Sequence, residues 1–386
     1  MKNSVILSKK LISFKSITPD DDGIMQYLSE YLTNIGFTTD IQKFSDISSS
    51  AQDTLNLYAE RNNSGSKNLC FAGHVDVVPS GKAALWTYPP FEPTVDNGVL
   101  YGRGACDMKC AIACFVAATE EFITENKNAK YYISFLITGD EEGNAINGTK
   151  KMLQYVSGKG IKIDSCIVGE PTSASNLGDT IKIGRRGSVS FTVEIIGTQG
   201  HVAYPALAKN PVTTAAEIVC NLKNHKFDDG NEWFQATNLE VTSLETSTKT
   251  SNVIPESCSM LINVRFNNIH TSCQIHEIVE SEIKNICNKY GCKYKISTSV
   301  SGEAFLTEKS DIATIAHSAI QDVLGVDAEF STSGGTSDAR FIKDYARVIE
   351  LGHLNATAHK INENVSVEDI NNLTKTYKAI LEKFFL

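Results

Sequence analysis

The sequence predicts an α/β domain interrupted by a smaller α+β unit. Three observations lead there. Helical and strand-like segments alternate from the start to about residue 185, the pattern of an α/β sheet with covered faces. Segments between 188 and 299 then follow the order β-α-β-β-α-β, that of a ferredoxin-like sandwich. Beyond them α/β character returns. The length of 386 residues agrees, since one domain commonly takes ~100–200 residues. We therefore expect a discontinuous larger domain, 1–184 and 299–386, with 185–298 inserted into it.

The elements follow in order. Residues 4–35 read as an amphipathic helical region broken at Thr18-Pro19. The stretch 68–78 reads as a strand running into a loop, and 108–125 as a helix. Two apolar runs, 131–138 (rich in β-branched and aromatic residues) and 165–168, predict buried strands. In the insert, 188–196 alternates as a strand. A helix over 210–224 carries Pro211 in its first turn, where a missing N–H costs nothing. Strands at 239–244 and 258–265, a helix at 272–289 and a strand at 292–299 complete it. A helix at 310–324, a strand at 347–351 and a helix from 367 finish the chain. The Ser/Thr-rich stretch 45–54 reads as a loop.

Composition narrows the function classes. The chain is 41% hydrophobic and 21% charged, ordinary for a globular protein with a real core in each domain. Its formal charge of -9 argues against a broad basic surface for nucleic acid or anionic lipid. The N-terminal apolar residues are interrupted by Lys9, Lys10 and Lys15, so a secretory signal is not expected. The run 111–118 is too short to span a bilayer. We expect a cytoplasmic chain with its ten cysteines reduced. No C-x-x-C pair occurs, and Cys106, Cys110 and Cys114 read as small core residues on one helix face.

The informative pattern is where acids and histidines fall. His74 and Asp76 end the strand in LCFAGHVDVV; Asp140, Glu141 and Glu142 end that in FLITGDEEG; Glu170 ends that in CIVGEPT. His359 follows the last strand, and Asp107 precedes a helix in YGRGACDMK. The carboxyl ends of strands in open α/β sheets form the usual ligand crevice. Singly, each residue has an ordinary structural role: a hydrogen-bonded His, a turn cap, a solvated pair. Together, several apolar strands ending in ligand-type residues point to chemistry. Imidazoles with carboxylates suit a divalent ion such as zinc. A bridging carboxylate, with one His and one carboxylate on each side, would make a two-metal site.

The motifs FAGHVDVVPSG, LYGRGACDMK, ITGDEEG, VGEPTS, GDTIKIGRRGS, QGHVAYP, NVIP, STSGGTSDARF and LGHLNATAHKINE resemble the zinc-dependent aminoacylase, carboxypeptidase and deacetylase superfamily. GRRGS, QGHVAYP, GGTSDARF and NATAHKINE resemble more narrowly its succinyl-diaminopimelate desuccinylase family. The resemblance runs almost end to end. It implies an α/β/α-sandwich zinc-hydrolase catalytic domain with an inserted ferredoxin-like domain that serves dimerisation and as a lid. It implies two Zn2+ per subunit, with Co2+ (or manganese) as a substitute. His74 and Glu170 would hold one ion, Glu142 and His359 the other, and Asp107 would bridge. Asp76 would orient the His74 imidazole, and Glu141 would be general base and acid. His201 would stabilise the oxyanion in the partner subunit's site of a homodimer.

The implied reaction is hydrolysis of N-succinyl-LL-2,6-diaminopimelate to succinate and LL-2,6-diaminopimelate, by water activated between the two ions. Arg185, Arg186 and Arg265 could meet the substrate carboxylates. Ser188, Asn252, Gly335 and Thr336 could add polar contacts. Cys106 and Cys110 stand where the family usually has Ala and Gly, which raises the expectation of oxidation sensitivity. The competing expectations are a different amidohydrolase of the superfamily, such as an acetylornithine deacetylase or a dipeptidase, and a non-catalytic dimeric binding or scaffold protein.

Overall fold

Every residue from 68 to 77 is buried, so the strand that carries His74 is covered on both faces. That strand belongs to Thr54–His74, the centre of the larger sheet in a computed structural model of the chain. The structure describes residues 2–45, 52–307 and 310–386. Most of the Ser/Thr-rich stretch read as a loop, 46–51, lies outside them.

The chain divides into two units. The first comprises Met1–Ile183, Thr307–Ser331 and Ser337–Leu386. Its large sheet has seven strands among the described residues. Four of its segments run parallel side by side. Leu69–His74 pairs with Ile133–Thr138 on one side and, over Leu69–Ala72, with Ser165–Val168 on the other. Ser165–Val168 pairs in turn with Arg347–Glu350. Parallel pairing puts all four carboxyl ends at one pole, which decides where the functional loops emerge.

Helices Asn3–Ile12, Cys110–Glu125, Asp311–Leu324 and Val367–Phe385 pack with one another, while Ile24–Asn34 and Thr149–Gly158 pack against the strands. This is an α/β sandwich. Aromatic rings join sheet to helices: Phe71 stacks on Phe115 at 4.5 Å, and Phe115 meets Phe135 and Tyr377 edge-on at 5.5 and 5.2 Å. The Tyr377 hydroxyl donates to the Leu351 carbonyl at 2.5 Å, so its buried polar end is satisfied. Gly169 shows how tight this packing is, because a Cβ there would lie 2.6 Å from the Phe71 ring.

The second unit comprises Gly184–Leu306 and Thr332–Thr336. Its antiparallel sheet has the order Asn238–Thr246, Ser257–Phe266, Gly187–Ile196, Lys293–Gly302. Helices Pro211–Asn224 and Ser272–Tyr290 pack on it. Val189, Phe191, Val193 and Ile195 alternate inward against Ile218, Met260, Ile262 and Ile283, the period-2 burial of a one-sided sheet. Pro211 opens its helix, with the Asn210 side chain capping the Val212 amide at 3.0 Å.

Several elements differ from the sequence reading. The division at 298 falls inside strand Lys293–Gly302, and the second unit runs on to Leu306 because Phe305–Leu306 pairs with Gly184–Arg185. It also takes Thr332–Thr336 from the later segment. The break expected at Thr18-Pro19 does divide the first helical region, into helices Asn3–Ile12 and Ile24–Asn34. The edge strand Thr38–Phe44 and helix Thr149–Gly158 were not foreseen; edge strands alternate weakly because neither face is deeply buried. Among the described residues no helix is long and apolar enough to cross a membrane.

The aromatic junction yields a direct test. Phe115→Ala should cost about 3–5 kcal/mol, the range for emptying a buried phenylalanine site, measured as a lowered urea midpoint for the first unit. A loss under about 1 kcal/mol would mean the site collapses without this ring.

Candidate metal-binding active site

The four parallel strands and the loops that leave them bring His74, Asp76, Glu141, Glu142, Glu170 and His359 to one pole of the first unit, where Asp107 joins them from the segment between strand Val99–Tyr101 and helix Cys110–Glu125. His74 is buried at the end of its strand. Its Nε2 lies 3.1 Å from Asp107 Oδ1 and 3.8 Å from Glu170 Oε1. His359 Nε2 lies 2.8 Å from Glu142 Oε1 and 3.3 Å from Asp107 Oδ2. Asp107 thus stands between two His–carboxylate pairs, one oxygen toward each.

Asp76 meets the His74 imidazole through its main chain. His74 Nδ1 meets the main-chain carbonyl of Asp76 at 2.9 Å, whereas the carboxylate is 3.7 Å away. A carbonyl acceptor at Nδ1 keeps the proton there and leaves Nε2 free as a ligand. The carboxylate instead accepts from the Glu141 and Glu142 amides at 3.3 and 3.0 Å. Asp140 does the same for the far side of that loop, accepting from Ala145, Ile146 and Asn147. Two buried aspartates therefore shape the Glu141-Glu142 turn from opposite sides.

The electrostatics of the metal-free site describe a crowd of like charge. Burial, reinforced by Asp338, Glu142 and Asp107 and opposed by His74, pushes Glu141 up to about 8. Burial pushes Glu170 well above the carboxylate range, with Asp107 and Glu141 adding to it. Burial raises Asp76 to about 6. Asp107 goes the other way: hydrogen bonds from His359 and His74 overcome its burial and hold it low. Hydrogen bonds to Asp107 and Glu142 raise His359 to about 10.

The donor set fits divalent cations. Ligand atoms of His74, Asp107 and Glu142 lie within 4.8 Å of one another, as do those of His74, Glu141 and Glu170. Glu170 Oε1 is buried and makes no hydrogen bond, an orphan that a cation would satisfy. Imidazole nitrogen with carboxylate oxygen is a zinc-type set. Glu141 thus shares one of these groups, beside the acid/base role expected from sequence.

The remaining predicted residues lie in the second unit. His201 is exposed, and its Nδ1 accepts from the Ala203 amide at 3.0 Å. In the neutral ring this puts the proton on Nε2, so the outward nitrogen is a donor. Arg186 and Arg265 are close enough for Arg186 to help lower Arg265, burial being the larger cause. Their hydrogen-bond partners are the side-chain oxygens of Asn238 and Asn263, and among the described residues no carboxylate pairs with either. Arg185 is buried and donates to the Ser333 carbonyl at 2.9 Å, tying down the loop that carries Gly335 and Thr336. Ser188 lies opposite Arg265 in the sheet, and its hydroxyl meets the Asn263 amide at 3.3 Å. Asn252 offers its main-chain carbonyl to the Val202 amide, beside the His201 strand.

Asp338, Arg103 and Glu363 escaped the sequence reading. Asp338 is buried with one oxygen unpartnered, and its charge bears on Glu141; the motif GGTSDARF held the signal. Cys106, Cys110 and Cys114 are buried free thiols, and burial pushes each upward. Raised thiols are poor nucleophiles, which fits the core reading and argues against ready oxidation at Cys106.

In the metal-free protein the His359 imidazolium should titrate near 10, not near its ordinary 6.5, when followed by imidazole NMR. Because this value is raised on folding, its contribution to stability is full below about 6.5 and is lost as pH rises through about 10. Zinc addition at pH 8 should release that proton. Titration near 6.5 would show that the Asp107 and Glu142 contacts do not hold.

Comparison with known proteins agrees with this geometry. The profile of peptidase family M20/M25/M40 matches residues 70–383. The chain is 48% identical over 380 residues to a protein named succinyl-diaminopimelate desuccinylase from Ehrlichia canis (strain Jake), covering 98% of this chain and 97% of that one. Among solved structures, an M20 family metallo-carboxypeptidase from Sulfolobus solfataricus superposes with a TM-score of 0.81 at 17% identity, covering 99% of both chains. A dinuclear metal-binding M20 peptidase from Bacillus subtilis superposes with a TM-score of 0.72 at 15% identity, covering 99% of this chain and 97% of that one. With a buried imidazole–carboxylate cluster at the pole of its sheet and a family match over most of its length, the chain belongs to peptidase family M20/M25/M40 and is a metal-dependent amidohydrolase.

Proposed function

We propose that the chain hydrolyses N-succinyl-LL-2,6-diaminopimelate to succinate and LL-2,6-diaminopimelate, a step of lysine and diaminopimelate biosynthesis in the cytoplasm. The observation that carries the hydrolytic reading is the position of Asp107, one oxygen toward His74 and the other toward His359. The choice of substrate draws on the 48% identical relative and on Arg186 and Arg265, whose partners are the side-chain amides of Asn238 and Asn263.

In this reading His74 and Glu170 would hold one zinc ion, Glu142 and His359 a second, and Asp107 would bridge, with Co2+ able to substitute. Bound there, the ions would polarise the amide carbonyl and ease ionisation of water. Glu141 is the proton carrier: its side-chain oxygen accepts the proton of the attacking water and delivers it to the leaving amine nitrogen. Without the ions, burial and the surrounding carboxylates raise the affinity of Glu141 for a proton. Asp76 acts on this step through the backbone, by holding the Glu141 and Glu142 amides.

The substrate carries three carboxylates and one ammonium, a net dianion. A chain of charge -9 must attract it locally. Arg186 and Arg265 offer planar forks suited to carboxylates. Ser188, Asn252, Gly335 and Thr336 add polar groups, while Arg185 fixes the loop beneath the last two. The second unit serves as dimerisation and lid unit. His201 donates from Nε2 to the oxyanion at the partner subunit's site, where a fixed donor is worth most as charge develops.

A substrate panel with metal quantitation on the same sample tests the reading. Zinc-loaded protein should prefer succinyl-diaminopimelate to N-acetylornithine and to dipeptides; preference for either of the others would overturn the assignment. Glu141→Gln should lower turnover about 10²–10⁴-fold at unchanged metal content, and undiminished turnover would remove Glu141 from its role. His201→Ala should lower kcat with both ions retained, whereas loss of zinc would place His201 among the ligands.

A further inference from the structure

Glu363 ends the NATAHKINE motif, yet neither the metal cluster nor the proton path uses it. It is fully buried. Its Oε1 accepts from the Cys106 and Asp107 amides at 2.9 and 3.1 Å. Its Oε2 accepts from the Gly104 amide at 2.9 Å and from Arg103 Nη1 at 2.7 Å. Its main-chain carbonyl accepts from the Gly102 amide at 3.0 Å. One residue thus meets four of the six positions leading up to and including Asp107 through the backbone, besides the Arg103 side chain. The loop needs such a hold, since Gly104 turns it with φ +81 and no regular helix forms before Cys110.

Arg103 extends the hold to the other imidazole. Its guanidinium donates to the Lys360 carbonyl at 3.3 Å, to the His359 carbonyl at 3.4 Å and to the Pro79 carbonyl at 3.3 Å. The Trp86 ring lies 5.3 Å from it. The buried pair Arg103–Glu363 therefore clamps the loop that carries Asp107 to the segment that carries His359. A buried ion pair is a weak source of net stability, so its use here is better sought in geometry.

We propose that Glu363 is the positioning residue of the bridging carboxylate: with Arg103 it fixes the Gly102–Asp107 loop so that the two Asp107 oxygens face His74 and His359. This rests on the two-ion reading given above. A carboxylate is suited to the task because both oxygens receive donors. Glutamine would turn an amide N–H toward either the backbone amides or Arg103, setting donor against donor.

The test measures zinc affinity by competition with a chromophoric chelator, and the visible absorption bands of the Co2+-loaded protein, for Glu363→Gln, Glu363→Asp and Asp107→Asn. Glu363→Gln should weaken the second ion about 10–100-fold, the scale for partners that orient ligands. It should shift the Co2+ bands and lower kcat with KM within about twofold. Glu363→Asp keeps the charge but is one methylene short of its donors, so its affinity should lie between those of Glu363→Gln and the unaltered protein, measurably below the latter; it also serves if Glu363→Gln does not fold. A Glu363→Gln protein that melts earlier but keeps its zinc affinity and Co2+ bands would overturn the proposal, as would unchanged affinity in Glu363→Asp when Glu363→Gln is unfolded. Asp107→Asn separates the two levels. If it loses an ion while the Glu363 variants keep both, only the positioning role falls. If it keeps both ions, the bridging reading falls and the proposal with it.

Discussion

Concentrating carboxylates at the buried pole of a sheet is the constraint around which this chain is built. Two unit charges ~4 Å apart interact by about 4 kcal/mol at the effective dielectric typical of proteins, and this pole gathers Asp76, Asp107, Glu141, Glu142 and Glu170. The chain handles them in two ways. Asp76 and Asp140, and Glu363 nearby, spend their lone pairs on backbone amides and so shape loops. Asp107 and Glu142 face imidazoles, and Glu170 Oε1, 3.8 Å from His74 Nε2, accepts no hydrogen bond. Lone pairs committed to amides build the site; those left over are what a cation and a substrate meet.

That division explains why the loops can be irregular without being loose. The Glu141-Glu142 turn is gripped by Asp76 on one side and Asp140 on the other, and the Asp107 loop by Glu363 and Arg103. Charged acceptors make the stronger hydrogen bonds, and in a buried setting they hold backbone that neither helix nor sheet can. Glu141 therefore sits on a turn held by two aspartates, Asp76 and Asp140, that spend their carboxylates on backbone amides.

The second unit follows a different logic. Its sheet buries one face under two helices and leaves Leu244, Leu261 and Val300 exposed on other positions. Arg186 and Arg265 carry half-buried positive charge with amide partners among the described residues.

Much of this was legible in the sequence. Apolar runs of β-branched and aromatic residues marked the central strands, and His74, Asp140, Glu141, Glu142 and Glu170 were visible at their ends, because strand periodicity and composition are local properties. The pattern β-α-β-β-α-β marked the second unit for the same reason. Tertiary structure alone decided the rest. Parallel register put four strand ends at one pole, and no local pattern encodes register between segments far apart. The direction of each lone pair decided that Asp76 orients His74 through its carbonyl and the Glu141 loop through its carboxylate. Arg103 and Glu363, 260 positions apart, read as ordinary charged residues until the fold brings them together. Sequence determined which groups were present and on which elements; packing determined which acids are occupied by amides and which remain free for chemistry.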